Sequence, residues 1–126
     1  MKNIMLVLFI FMTFNLWANI YECNGSGYNV KVFNPEIVAG GEPALIIKSA
    51  SGITKVLSND LRIIANFEIS ISGRTVPGTS IQYVTILVDD PGVESGRTVK
   101  GKMNLDTDQG RLIIALSCVR GASNIP

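Results

Sequence analysis

Residues 61–72 constrain the fold more than any other stretch. Leu61, Ile63, Ala65, Phe67, Ile69 and Ile71 share one parity; Arg62, Asn66, Glu68 and Ser70 share the other, with Ile64 the one apolar residue among them. Successive side chains of a strand point to opposite faces, so this stretch has a dry face and a wet one. Wound as a helix, the same residues would scatter apolar groups all round the axis. Read as a single strand, the stretch spans roughly 35 Å, which is long enough to require a bend, a bulge or a tilt across a barrel.

The same period recurs along the chain. Residues 20–24 and 28–33 are extended and read as one strand bent at Gly25-Ser26-Gly27. Residues 36–39 read as a short strand between Asn34-Pro35 and the loop Gly40-Gly41-Glu42-Pro43. Residues 44–49 and 53–58 flank Ala50-Ser51-Gly52 as a hairpin, and Asn59-Asp60 makes a second tight turn. After a polar loop at 73–79, residues 80–89 are apolar on both parities, which suits a central strand covered on both sides. A loop at 90–96 precedes residues 97–105, where Val99, Gly101, Met103 and Leu105 face inward. Asp106–Gly110 then turns the chain into a last strand at 112–119, and residues 120–126 are expected to fray. No helical period occurs beyond residue 18. Short connections make successive strands antiparallel neighbours. The expected fold is therefore all-β, an antiparallel meander of about eight strands closed into a barrel, with a two-sheet β-sandwich as the alternative.

The first eighteen residues have a different character. Lys2 precedes an apolar run from Ile4 to Trp17, broken by Thr13 and Asn15, and Ala18 ends it. A basic start, a short apolar core and a small residue at the exit describe a secretory signal peptide cleaved after Ala18. The run is too short for a membrane span and has no positive cluster after it. Residues 19–126 are then one exported domain, periplasmic or extracellular, with no stable span after cleavage. The whole chain has eleven basic and ten acidic residues, and Lys2 leaves with the signal. A balanced mature charge offers nothing to nucleic acid or anionic lipid. An oxidising compartment turns the two cysteines, Cys23 and Cys118, into an expected disulfide. Both share parity with apolar neighbours, as an inter-strand bridge requires.

Composition excludes most catalytic chemistry. The chain contains no histidine, which removes the commonest general base and metal ligand. Oxidised cysteines supply no thiolate, and no Ser-x-x-Lys pattern occurs. Asp106-x-Asp108-x-Gly110 resembles part of a calcium loop but lacks the third oxygen ligand and the distal Glu; Asp and Gly are equally the residues of a hairpin turn. No catalytic residue, metal ligand or cofactor is expected. Once Trp17 is removed with the signal, the aromatic residues are Tyr21, Tyr28, Phe33, Phe67 and Tyr83, and Tyr83 is the one placed to line a cavity.

Tyr21-x-Cys23, Val30-x-Val32 and a cysteine in the last strand resemble the small periplasmic inhibitors of c-type lysozyme. That family carries a Ser-Gly-x-Arg/Lys-Tyr hairpin that enters the enzyme cleft. Here Ser51-Gly52-Ile53-Thr54-Lys55 lacks the Tyr and shifts the cation, so the chain is not assigned to the family and its site is not carried over.

By elimination, the expected function is that of a non-catalytic β-module binding a macromolecular partner, a protein or cell-envelope component, with inhibition as one form of that role. Its contacts are expected from the loops at 73–79 and 90–96, with Arg74 and Arg97 as anchors, because loops on rigid sheets carry function and Arg is enriched at interface centres. A barrel carrying an apolar ligand, with Ala65 and Gly101 leaving internal space, and a structural surface subunit are the alternatives. The export reading predicts a native protein whose chain begins at Asn19; an intact-mass measurement that retains residues 1–18 contradicts it.

Overall fold

Period-two alternation is realised as antiparallel sheet from end to end. The computed structural model describes residues 18–90, 92 and 94–126; the expected signal segment, apart from Ala18, lies outside them. Among the described residues nine strands follow in order: β1 (Asn19–Gly25), β2 (Tyr28–Phe33), β3 (Pro43–Ser49), β4 (Gly52–Leu57), β5 (Leu61–Ala65), β6 (Ile69–Arg74), β7 (Ile81–Asp89), β8 (Thr98–Thr107) and β9 (Gly110–Arg120). They form one sheet in the order β4-β3-β2-β1-β9-β8-β7-β6-β5, and every pair within it is antiparallel. The sheet curls into a nearly closed barrel, and the sandwich alternative is set aside.

The closing contact is β1 against β9. Tyr21–Asn24 pair with residues 117–120, and Cys23 stands directly opposite Cys118. The two are disulfide-bonded with their Cα atoms 3.9 Å apart. An antiparallel meander closes on itself only with an even number of strands, and nine is odd. The pairings resolve this. Traced outward from β1 and from β9, strands β4 and β5 run in the same direction, so they act as two halves of one strand bent at residues 58–60. Eight strands therefore do the closing. At the seam the Val76 N–H donates to the Lys55 carbonyl at 2.8 Å. Gly73 sits so close to the bend that a Cβ on it would lie 2.6 Å from both the Asp60 carbonyl oxygen and Val56 Cγ1.

Two sequence readings are corrected here. Residues 20–33 are not one bent strand but a hairpin: Gly25 pairs with Tyr28, and Ser26 (φ 50°) and Gly27 (φ 82°) both adopt the positive φ of the two-residue turn that matches strand twist. Residues 61–72 are not one long strand either. They fold back between Ala65 and Ile69, with Asn66–Glu68 as the tip and Phe67 97% exposed. The reason is arithmetic. Paired residues face the same side of a sheet. Here Leu61 meets Gly73, Ile63 meets Ile71 and Ala65 meets Ile69, so each pair joins residues of equal parity. A three-residue loop thus carries the alternation through the reversal unbroken, and the pattern conceals the turn.

Smaller differences follow from local hydrogen bonds. Residues 36–39 form a turn rather than a strand, with the Ile37 and Val38 N–H groups both donating to the Asn34 carbonyl. The C-terminal segment is docked rather than frayed. Its Gly121 and Ser123 N–H groups donate to the Ile20 and Asn19 carbonyls, and Ile125 packs against the core.

The inward faces form one cluster in which Val30, Val32, Leu45, Ile47, Ile71, Ile86, Met103 and Leu105 are all but fully buried. The disulfide is part of it, and its surroundings are shaped to receive it: a Cβ on Gly101 would lie 3.0 Å from Cys118 Sγ. The bridge closes a span of 95 residues. Replacing both cysteines by Ala should lower urea-unfolding stability by roughly 4–5 kcal/mol on the chain-entropy account. A double variant as stable as the oxidised protein would show that the β1–β9 closure does not depend on the bridge.

Candidate functional site

Polar chemistry concentrates at the two ends of the barrel, and the ends differ in kind. At the end where β1 starts and β9 finishes, a β-bulge between Asn19 and Tyr21 turns both Ile20 and Tyr21 into the interior. The Tyr21 hydroxyl donates to Asp90 Oδ2. Arg120 Nε lies 3.5 Å from the same oxygen, and its guanidinium carbon is 5.5 Å from the Tyr21 ring centre. Both charged side chains are out of solvent, Asp90 fully and Arg120 to within 11%. The other Asp90 oxygen accepts from the Gly92 N–H at 2.9 Å. Arg120 Nη1 donates to the carbonyls of Ile20, Gly121 and Ser123.

Burial pushes the Tyr21 phenol well above its ordinary ionisation, and the hydrogen bond to Asp90 and its negative charge push the same way, against Arg120. Each member of this cluster is occupied by another, so it binds the fold rather than a ligand. It joins β1, the connection after β7, β9 and the C-terminal segment. Asn34 extends it, donating from Nδ2 to Ser123 Oγ and to the Asn124 carbonyl, both at 3.2 Å.

At the opposite end, an open groove of about 560 Å³ lies on the outside of the barrel. It is lined by Arg74, Thr75, Pro77, Gly78, Thr79, Ile81, Gln82 and Tyr83. Arg74 ends β6 and stands opposite Tyr83 of β7. A β-bulge between Ile81 and Tyr83 against β8 turns the consecutive side chains of Gln82 and Tyr83 both outward. The loop that walls the groove is tied down. Thr75 Oγ1 donates to the Ile81 carbonyl at 2.6 Å, and the Thr75 N–H donates to the Gln82 carbonyl at 3.1 Å. Thr79 bonds Thr54 across the seam at 3.3 Å, and the Asp108 N–H reaches the Ser80 carbonyl. Among the described residues the Arg74 guanidinium has no ion pair or hydrogen bond, whereas Arg111 is paired with Asp106 and Arg120 with Asp90.

The expected site residues separate accordingly. Arg74 and Tyr83 come together at the groove. Tyr83, expected on a strand covered on both faces, is on the outer face of β7 and 39% exposed. Arg97 is also exposed, but it precedes β8 at the other end. The loops at 73–79 and 90–96 are the two ends of nine-residue β7, roughly 30 Å apart, so they do not share one contact surface. Cys23 and Cys118 belong to the core. Asp106, read as part of a calcium-like loop, is held by Arg111 Nε at 2.8 Å beside the β8–β9 turn. No group of three or more His, Cys, Asp or Glu side chains able to hold a metal occurs among the described residues. The Tyr21–Asp90–Arg120 cluster went unread. Asp90 before Pro91-Gly92 looks like an ordinary loop acid, and nothing local marks its burial.

Comparison with protein-family models, with curated proteins and with solved structures finds no match to this chain.

The buried phenol sets a pH dependence. Its hydrogen bond contributes in full below the ordinary tyrosine pKa of about 10; above that the unfolded chain ionises while the folded chain does not, and stability is lost as pH rises. Urea stability of the wild type should therefore fall more steeply above about pH 10 than that of Tyr21→Phe. At neutral pH the Tyr21→Phe variant should itself be less stable by roughly 1–3 kcal/mol, because Asp90 loses a donor. Equal slopes in the two proteins would remove Tyr21 from the account.

Proposed function

We propose that this chain is an exported, non-catalytic binding module that engages a macromolecular partner through the outer groove at Arg74 and Tyr83. The observation that carries the reading is the unpaired Arg74 guanidinium standing beside a half-exposed phenol over an open concavity, on a barrel whose inward faces form one buried apolar cluster. A side chain that is long, charged and free of internal partners is available to a partner at no cost in broken contacts. Arg and Tyr are also the residue types that dominate interface energetics.

The single buried apolar cluster formed by the inward faces weighs against the apolar-ligand carrier. Gly101 faces the disulfide sulfur rather than a void, and Ala65 is exposed at the end of β5 instead of lining a cavity. The chain has no histidine, and the polar cluster it does bury is fully engaged with itself, which weighs against an enzyme. A disulfide suits an oxidising compartment, in keeping with export. Inhibition of a secreted enzyme is one form such binding can take.

A tagged mature protein should retain its partner from periplasm or culture medium. Arg74→Ala and Tyr83→Ala should each weaken that retention at least tenfold, the size of a hot-spot truncation. Arg97→Ala, at the far end of the barrel, should leave it unchanged. Retention that is indifferent to Arg74 and Tyr83, or that depends on Arg97 instead, contradicts the reading.

A further inference from the structure

The groove has a definite chemical sign. Its threonine hydroxyls are already spent on internal acceptors: Thr75 and Thr79 both donate to the Ile81 carbonyl. The side chains left free are the Arg74 guanidinium, the Tyr83 phenol and the Gln82 amide, none of which has a hydrogen-bond partner among the described residues. All three can donate, and one carries a full positive charge. Cross-strand pairing puts Tyr83 on the same side as Arg74, and the bulge in β7 turns Gln82 to that side as well. Among the described residues no carboxylate lines the groove. In the cross-strand row, Asp106 opposite Tyr83 is paired with Arg111 at 2.8 Å. The remaining wall is aliphatic, made by Pro77 and Ile81.

We infer that the groove receives a carboxylate side chain of a partner protein, an Asp or Glu with an apolar neighbour, held by the Arg74 guanidinium with the Tyr83 hydroxyl as a second donor. This rests on the proposed binding role and adds the partner's chemistry. A guanidinium binds a carboxylate through two parallel N–H···O bonds, a match of geometry as well as charge. The volume suits one inserted side chain and its flank rather than a buried helix. The aliphatic wall of Pro77 and Ile81 favours a protein surface over an acidic glycan, whose hydroxyls would lie unbonded against it. The tied-down loop means that the groove is already shaped before the partner arrives, so little ordering entropy is lost on binding.

A random linear peptide library displayed on phage, panned on the mature protein, tests this. The wild type should enrich peptides with Asp or Glu beside an apolar residue. Arg74→Gln should lose the acidic enrichment, and Arg74→Glu should select Lys or Arg in its place. An enriched peptide should move the backbone amide resonances of Gln82 and Tyr83, and replacing its acid by the matching amide should weaken it at least tenfold, with the gap narrowing as salt is raised. A pool with no acidic enrichment, an empty pool, or the same enrichment with Arg74→Gln overturns the inference, as does binding of uronate oligosaccharides in preference to acidic peptides. If peptides move Gln82 and Tyr83 but acid and amide versions bind equally, the groove stands as the binding site and the carboxylate does not. If partner capture ignores Arg74 and Tyr83 altogether, it is the binding reading itself that fails.

Discussion

Everything in this barrel depends on its first and last strands meeting in antiparallel register. Cys23 and Cys118 face each other across β1 and β9, and among the described residues the pairing of Tyr21–Asn24 with residues 117–120 is the one ladder that joins the N-terminal half of the sheet to the C-terminal half. Without it, β4-β3-β2-β1 and β9-β8-β7-β6-β5 would be two open meanders, each too small to cover its own apolar face. The disulfide sits at that joint, buried in the same cluster as Met103 and Leu105. A covalent bond there removes far more conformational freedom from the unfolded chain than one closing a single hairpin, because it spans nearly the whole domain. The bend at residues 58–60 is the other requirement. It lets β4 and β5 count as one strand, so the directions at the joint agree.

The two ends of the barrel are finished by different means. One is sealed by the C-terminal segment, which hydrogen-bonds to the start of β1 and is clasped by Arg120, Asp90 and Tyr21. A buried ion pair adds little net stability compared with a well-packed apolar substitute, but losing one partner leaves a stranded charge. The cluster therefore specifies how the end is assembled more than how stable it is. The seam leaves β5 with a free edge. That edge is only five residues long and carries Arg62 outward, which are the usual ways of discouraging edge-to-edge association.

The other end is left open, and the groove there is built by an irregularity. A regular β7 would alternate Gln82 and Tyr83 to opposite sides; the bulge between Ile81 and Tyr83 places both outside, beside Arg74. Among the described residues Arg111 and Arg120 are engaged internally while Arg62, Arg74 and Arg97 are not, and of these three Arg74 is the one that lines the groove. The inward faces form one buried apolar cluster, and the groove is where the side chains of Arg74, Gln82 and Tyr83 converge on the outside.

Alternation along the chain determined the strand class and most boundaries. The hairpin at residues 49–52, the inward set Val99, Met103 and Leu105, and the turn at Asp106–Gly110 are all legible locally, because period, turn residues and burial coincide there. Parity placed both cysteines inward, and the count of cysteines paired them. Of the candidate site, Arg74 and Tyr83 were identifiable as residues, but not as neighbours: their meeting depends on β6–β7 register, and the outward turn of Gln82 beside them on a bulge between Ile81 and Tyr83. Where the reversals fall was left to the tertiary structure. An odd loop at Asn66–Glu68 preserves parity, so residues 61–72 look the same as one strand or as two. The turn at Ser26-Gly27 and the bend at 58–60 go together, since with nine strands the bend is what lets β1 and β9 meet in opposite directions. Asp90 is the clearest case. Its burial comes from side chains roughly 30 and 70 positions away that only the closed barrel brings to it, because long-range contacts of this kind leave no local periodicity to read.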